Sequence, residues 1–291
     1  MKLKDIFIVT RSWSLSITFI SVTIGTVLAL GEGRISLFLY FITLLGATFF
    51  HAAANTLNDY FDLKNKIDTP DAPTTLYRPH PVFTNLLSSK KLLILSLSLL
   101  SGSLVIGILL AVLRTSWIWL FMLLGLFLAV FYTGGPRGLK YLALGEPTVF
   151  LAFGPLMIEG AYAVQRATVS WRTFYVSLPI GLLVSLILLA NNLRDIEFDV
   201  RSGIKTLCTI LGHNKALRLY RILSVLPFVL VFIYILFRIL SWPALLVFLS
   251  FPSTIRVNKD FMDEIPASSD ARTSQLSLLF GLLLIAALIL E

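Results

Sequence analysis

Long apolar runs separated by short polar segments make up most of this chain. The runs are 12–30, 35–57, 91–113, 116–133, 146–165, 173–193, 219–238, 241–255 and 274–290. Each predicts a helix that crosses a bilayer, because about 20 apolar residues at about 1.5 Å rise per residue cover the hydrocarbon core. The run 241–255 is the shortest and holds Pro243 and Pro252. Pro155, Pro179 and Pro227 fall inside other runs, where neighbouring helices can re-satisfy the freed backbone groups. The pattern predicts an all-α, polytopic membrane bundle of about nine transmembrane helices, forming a single domain over 1–291.

The cationic residues give that bundle an orientation. Nineteen of the 24 lysines and arginines fall on one side, before the first run or in and beside the loops after the second, fourth, sixth and eighth, against five on the opposite side (Arg34, Arg114, Arg166, Arg172 and Arg238). By the positive-inside rule the N-terminus and the rich loops are cytoplasmic, and the C-terminus is outside. Without the run 241–255 this asymmetry is lost, so it is counted as a span.

Composition narrows the class further. Hydrophobic residues are 57% and charged residues 14%, well below the roughly 25% charged residues of soluble domains. The net charge of +8 comes from short loops between apolar runs rather than from one basic face, which argues against nucleic-acid binding. A single cysteine, Cys208, cannot form an internal disulfide and reads as a small buried hydrophobe. The first apolar run leads into further membrane helices, so no cleavable signal peptide is expected. P-loop, dinucleotide and nucleophile-elbow motifs are absent, and His51, His80 and His213 lack metal-ligand spacing and read as structural residues.

Two acidic segments carry the chemistry. They are Asn55-Thr-Leu-Asn-Asp-Tyr-Phe-Asp-Leu-Lys-Asn-Lys-Ile-Asp68 and Asn191-Asn-Leu-Arg-Asp-Ile-Glu-Phe-Asp-Val-Arg201, each at the cytoplasmic end of an even-numbered run. Residues four apart share a helix face. Asn58 therefore aligns with Asp62, and Asn191 with Asp195 and Asp199, while Asp68 can fold back towards Asp62. Glu197 falls off its face and reads as solvated; Asp59 is also off the Asn58/Asp62 face, with its role left open.

Carboxylates stacked on one face near a membrane repel each other and are costly, and a divalent cation removes that cost. Hard oxygen donors without His or Cys favour Mg²⁺, which is typically shared between carboxylates and substrate phosphates. Two facing clusters of this kind suit a diphosphate. Its departure also calls for cations, and the candidates are Lys64, Arg78, Lys140, Arg194, Arg201 and Lys205. Arg78 stands in the stiff Tyr77-Arg-Pro-His-Pro81 loop, and Lys140 ends Tyr132-Thr-Gly-Gly-Pro-Arg-Gly-Leu-Lys140.

These segments resemble the paired aspartate motifs of the UbiA superfamily of intramembrane prenyltransferases. The motif likeness runs from Thr10-Arg-Ser-Trp13 to about Gly212. Within the superfamily the menaquinone branch is most similar, through Tyr132 to Glu146, Phe153-Gly-Pro-Leu-Met157, Gly203-Ile-Lys-Thr-Leu207 and the six-residue spacing of Asp62 and Asp68. Phe198 and the Asp71-to-Pro81 loop depart from the commoner forms of that branch.

The resemblance implies a polyprenyl diphosphate donor and 1,4-dihydroxy-2-naphthoate as aromatic acceptor, with loss of its carboxylate. It implies Asn58, Asp62, Asp68, Asp195 and Asp199 as the Mg²⁺ and diphosphate ligands. Asp62, Asp195, Lys140 and Tyr132 would be catalytic, the last two neutralising the leaving group or shielding the cation. Asn58, Asn191, Arg78, Arg194, Lys64, Arg201 and Lys205 would bind substrate. The same chemistry on 4-hydroxybenzoate, a chlorophyllide, a haem precursor or a glycerol-phosphate lipid is the alternative. An ion-coupled transporter is a more distant one, since transporters place acidic groups near the midplane rather than at helix ends.

Overall fold

A computed structural model describes residues 3–134, 138–262 and 264–291. Lys2 and Arg137, both counted in the charge asymmetry, lie outside the described residues, as do Gly135 and Pro136 of the Tyr132–Lys140 segment. Among the described residues the structure is helical, without strands.

The apolar runs become α1 (Leu15–Leu30), α2 (Leu37–Lys64), α3 (Ser89–Leu113), α4 (Trp117–Thr133), α5 (Gly145–Arg166), α6 (Trp171–Arg194), α7 (His213–Leu236), α8 and α9 (Ser269–Ile289). Among the described residues seven stretches are long and apolar enough to cross a membrane, and Trp117–Thr133 is a shorter apolar helix. The element α8 is broken, a 3₁₀ stretch Trp242–Ser250 running into the α-helix Phe251–Asp260. Pro243 and Pro252 each sit at the start of one of its two parts, where the missing N–H is least costly.

Burial sorts the helices into centre and rim. In α6, 67% of the apolar window is buried, against 17% in α3. Accordingly α6 packs on α5, α7 and α9, and α3 lies mainly along α2. Leu97, Val105, Val112, Leu123 and Phe127 of α3 and α4 stay exposed, as lipid-facing side chains do. The main core gathers Ile24, Ile158, Leu183, Leu186, Phe228 and Phe280, with Phe228 set edge-on to Phe251 and Phe280 at 5.1 and 5.2 Å between ring centroids.

Glycine brings α1 against α5. A Cβ built on Gly25 would lie 2.2 Å from the Ile158 carbonyl oxygen and 2.9 Å from the Ala161 Cβ, so only glycine permits the contact. Gly25→Ala is expected to cost about 1–3 kcal/mol, the range for overpacking, and to lower the thermal unfolding midpoint in detergent. An unchanged midpoint would contradict this packing. Within α5 the helix widens into a π-turn at Ala152–Leu156, around Pro155; such a turn accommodates a proline that cannot supply its N–H.

Candidate active site

Both acidic segments end their helices in the same way. The helix α2 runs to Lys64, seven residues beyond the apolar run, and so carries Asn58 and Asp62 in regular helix. Lys66 then adopts a left-handed conformation (φ 58°). The Ile67 and Asp68 amides turn back to donate to the Asp62 carbonyl at 2.8 and 3.2 Å. This capping geometry folds Asp68 over Asp62.

At the second end, α6 stops at Arg194 and the short helix Ile196–Arg201 follows. The Asp199 amide still donates to the Asp195 carbonyl at 2.9 Å, which keeps the four-residue register through the break. Gly203 (φ 69°) turns the chain, and the Ile204 amide donates to the Asp199 carbonyl at 2.8 Å. Asp62, Asp68, Asp195 and Asp199 are all buried.

Asp62 is the hub of the first end. Lys140 Nζ donates to its Oδ2 at 2.7 Å, and the Tyr141 hydroxyl donates to its Oδ1. With its amide oriented to satisfy both neighbours, Asn58 donates to Asp62 at 3.2 Å and accepts from Arg11 at 3.1 Å. Burial alone would lower the Lys140 pKa, but the Asp62 charge outweighs it and holds the ammonium charged well above the ordinary range. Burial and then the neighbouring Asp62 carboxylate push the Asp68 carboxyl up to about 6. Its Oδ2 makes no hydrogen bond; His80 Nε2 stands 3.5 Å away.

At the second end Arg194 Nε donates to Asp195 at 2.6 Å, and the Thr74 hydroxyl donates to the same carboxylate at 2.8 Å. Arg194 also donates to Asn191 Oδ1 at 2.7 Å. Burial and the Asp195 charge push the Asp199 carboxyl up to about 7, and the charges of Lys140 and Asp62 reach it as well.

Asp59, left open from the sequence, has a defined place. Its side chain is fully buried and accepts from Arg11, and from Arg78 at 2.7 Å. Asn55 secures the N-terminal segment beside it, donating to the Thr10 carbonyl at 3.1 Å and the Ser14 hydroxyl at 3.0 Å. The helix Pro73–Tyr77 bridges the two ends. Arg78, at its C-cap, meets Asp59, Thr74 meets Asp195, and the Arg194 guanidinium lies 5.3 Å from the Tyr77 ring centre. Opposite, Asn192 donates to the Glu146 carboxylate at 2.9 Å and Ser185 to the Glu146 carbonyl at 3.1 Å. These bonds fix the start of α5, just past Lys140 and Tyr141, to α6.

Beneath these groups lies a cavity of about 760 Å³. Asn58, Asp62, Asp68, Tyr132, Lys140 and Asn191 line it, together with Arg11, Arg78 and Arg194, and the rest of its wall is largely apolar. The other cations named from the sequence, Lys64, Arg201 and Lys205, are exposed and off the cavity wall. Arg201 donates to the Glu197 carbonyl of its own helix, 3.2 Å away.

The donor set suits a hard divalent cation. The four aspartates and the Asn58 and Asn191 amides offer oxygens, and one buried Asp68 oxygen lacks a hydrogen-bond partner, as a group built for a cation would. Tyr141, Thr74 and His80 were not assigned to the site from the sequence, and Asp59 was left open there. Tyr141 had a local signal, its position beside Lys140.

The description "UbiA prenyltransferase family" matches residues 18–288. The chain is 28% identical over 290 residues to the 1,4-dihydroxy-2-naphthoate octaprenyltransferase of Bacillus subtilis (strain 168), covering 97% of this chain and 91% of that protein. It is 31% identical over 294 residues to the UbiA prenyltransferase domain-containing protein 1 homolog of Drosophila melanogaster, covering 99% and 80%. A solved UbiA homolog from Archaeoglobus fulgidus bound to GPP and Mg²⁺ superimposes with a TM-score of 0.70 at 18% identity, covering 99% of this chain and 100% of that one.

Proposed function

The chain belongs to the UbiA prenyltransferase family and is an integral-membrane prenyltransferase, and on that premise we propose that it joins a polyprenyl group to 1,4-dihydroxy-2-naphthoate in a Mg²⁺-dependent reaction. The observation that carries this reading is a largely apolar cavity whose charged end is lined by Asn58, Asp62 and Asp68 of one acidic helix end and by Asn191 and Arg194 of the other, with Arg194 paired to the buried Asp195. The naphthoate acceptor is supported by the Bacillus subtilis relative and by the Tyr132-to-Glu146 and Asp62-to-Asp68 patterns. The 19-to-5 distribution of cationic residues supports a cytoplasmic site with the C-terminus outside, and the family match over 18–288 supports a single domain.

Asp62, Asp68, Asp195 and Asp199, with Asn58, would hold the metal, which when bound supplies positive charge to the diphosphate oxygens. Lys140, already held as an ammonium, and Arg194 face the same space and draw negative charge from the leaving group as the allylic C–O bond breaks. The bond pair departs with diphosphate. A ring carbon of the acceptor then supplies the pair for the new C–C bond, and the acceptor's carboxylate leaves as CO₂, returning its bonding pair to the ring. The apolar wall keeps water from capturing the allylic cation as an alcohol. Tyr132, which lines the cavity with Lys140, would shield that cation with its aromatic ring.

Incubating the purified protein with labelled prenyl diphosphate and a panel of acceptors tests the assignment. Prenylated product and CO₂ release from dihydroxynaphthoate are expected. Product from 4-hydroxybenzoate, a chlorophyllide or a glycerol-phosphate lipid, with none from dihydroxynaphthoate, would refute the acceptor.

The Mg²⁺ requirement should also depend on pH. Without a cation the Asp68 and Asp199 carboxyls sit at about 6 and about 7, so below those values Mg²⁺ must displace their protons. The half-saturating Mg²⁺ concentration is expected to rise at least about tenfold between about pH 8 and about pH 6, as proton competition dictates. Mg²⁺ titrations of the initial rate would show this; a flat profile would contradict a metal site at these carboxylates.

A further inference from the structure

The cavity continues far beyond the charged groups. Along α2 its wall runs from Asp62 past His51 and Gly46 to Thr43, about 28 Å at about 1.5 Å per residue. That approaches the full hydrocarbon thickness of a bilayer, about 30 Å. At the far end the cavity meets a small hydrophobic cluster separate from the main core. Leu110 of α3, Ile118 of α4 and Val164 of α5 belong to that cluster and also line the cavity. Leu39 and Ile42 back them, and Ile106, packed on the same cluster, lines the cavity as well.

This floor is held rigidly. Arg114 donates to the Val164 and Gln165 carbonyls at 2.8 and 3.0 Å. The Gln165 side chain accepts from the Ser36 amide at 2.9 Å and donates to the Ser36 carbonyl at 3.1 Å. The ends of α2, α3 and α5 are thereby tied together beneath the cavity.

Between the charged end and the floor, glycines keep the bore open. A Cβ on Gly125 would be 3.7 Å from the Phe50 ring, and one on Gly160 would be 3.8 Å from the Phe121 ring. Both are ordinary contacts, so a side chain fits the surrounding protein there, and a longer one extends into the bore. Gly46 and Gly107 differ, since a Cβ on either meets Ile106 or Met122 at 2.8 or 2.7 Å.

We infer that Leu110, Ile118 and Val164 act as a ruler that limits the length of the polyprenyl chain this enzyme accepts, with Gly125 and Gly160 leaving the bore clear down to it. The inference rests on the prenyl diphosphate reading above. A tail that ends short of the floor leaves apolar wall uncovered, and each further isoprene gains burial. A tail that overruns the floor must displace side chains packed and hydrogen-bonded from three helices.

The test is kcat/KM for a donor series from geranyl to octaprenyl diphosphate with dihydroxynaphthoate. The wild-type enzyme is expected to show an optimum length. Gly125→Leu, which also removes a helix-weakening glycine, should lower the ratio of long-donor to short-donor kcat/KM at least about tenfold, within the discrimination that filling a hydrophobic pocket gives. Ile118→Ala combined with Leu110→Ala should move the optimum to a longer donor. Affinities of the matching unreactive thiolodiphosphates read the same ratios if a variant turns over too slowly. Ratios unchanged from wild type in both variants would overturn the ruler. Neither product nor analogue binding at any length would overturn the donor assignment itself, and the ruler with it.

Discussion

Asp62→Asn is expected to lower kcat by a factor on the order of 10³, the scale for losing an electrostatic contact to developing charge, while the protein remains folded. Asp62 receives Lys140, Tyr141 and Asn58, and Asp68 folds back onto its backbone carbonyl. Asparagine preserves the shape and still accepts a hydrogen bond from Lys140, but it cannot supply the negative charge a divalent cation needs. Alanine would additionally strand the buried ammonium, so the amide is the cleaner substitution. Initial rates of prenyl product formation, with thermal unfolding in detergent as the fold control, measure both parts. Activity within tenfold of wild type would remove Asp62 from the catalytic centre.

The second large effect concerns stability. Asp59 is the buried counter-charge of two guanidiniums, those of Arg11 and Arg78. Breaking a buried ion pair from one side typically costs about 3–5 kcal/mol, and here two cations lose their partner at once. Asp59→Ala should therefore lower the unfolding midpoint sharply, and it should also reduce turnover by releasing two cavity-lining arginines. Asp59→Asn separates this role from that of a metal ligand. Its residual activity is expected to saturate at the wild-type Mg²⁺ concentration, despite reduced stability. Wild-type stability combined with a raised Mg²⁺ requirement would instead make Asp59 a ligand.

The all-α membrane fold was legible because apolar length alone decides a transmembrane helix, and the chain has little else between its loops. The broken α8 was harder. Its prolines mark a weak span, but whether the backbone continues as 3₁₀ or α-helix depends on packing against α7 and α9. The return of Asp68 over Asp62 was anticipated from spacing. The device that produces it, left-handed Lys66, has no glycine or asparagine at that position to announce it.

Asp59 shows the limit of helical periodicity. Its angle on α2 separates it from Asn58 and Asp62, yet it is buried because the N-terminal segment and the Pro73–Tyr77 helix cover that side. Arg11 lies 48 residues from Asp59 in sequence, a pairing no local pattern encodes. Lys64, Arg201 and Lys205 show the converse. A cation at a membrane surface carries the same sequence signal whether it serves topology or a ligand, and these three stand exposed. His80, without metal-ligand spacing, reaches Asp68 only through the fold of its loop.

Equilibrium binding of an unreactive prenyl thiolodiphosphate to the purified protein, with Mg²⁺ and with excess chelator, tests the paired acidic ends most directly. Saturable binding that requires Mg²⁺ and is lost in both Asp62→Asn and Asp195→Asn is the predicted result. Equal affinity in chelator, or full affinity in either variant, would contradict a diphosphate site built from the two helix ends.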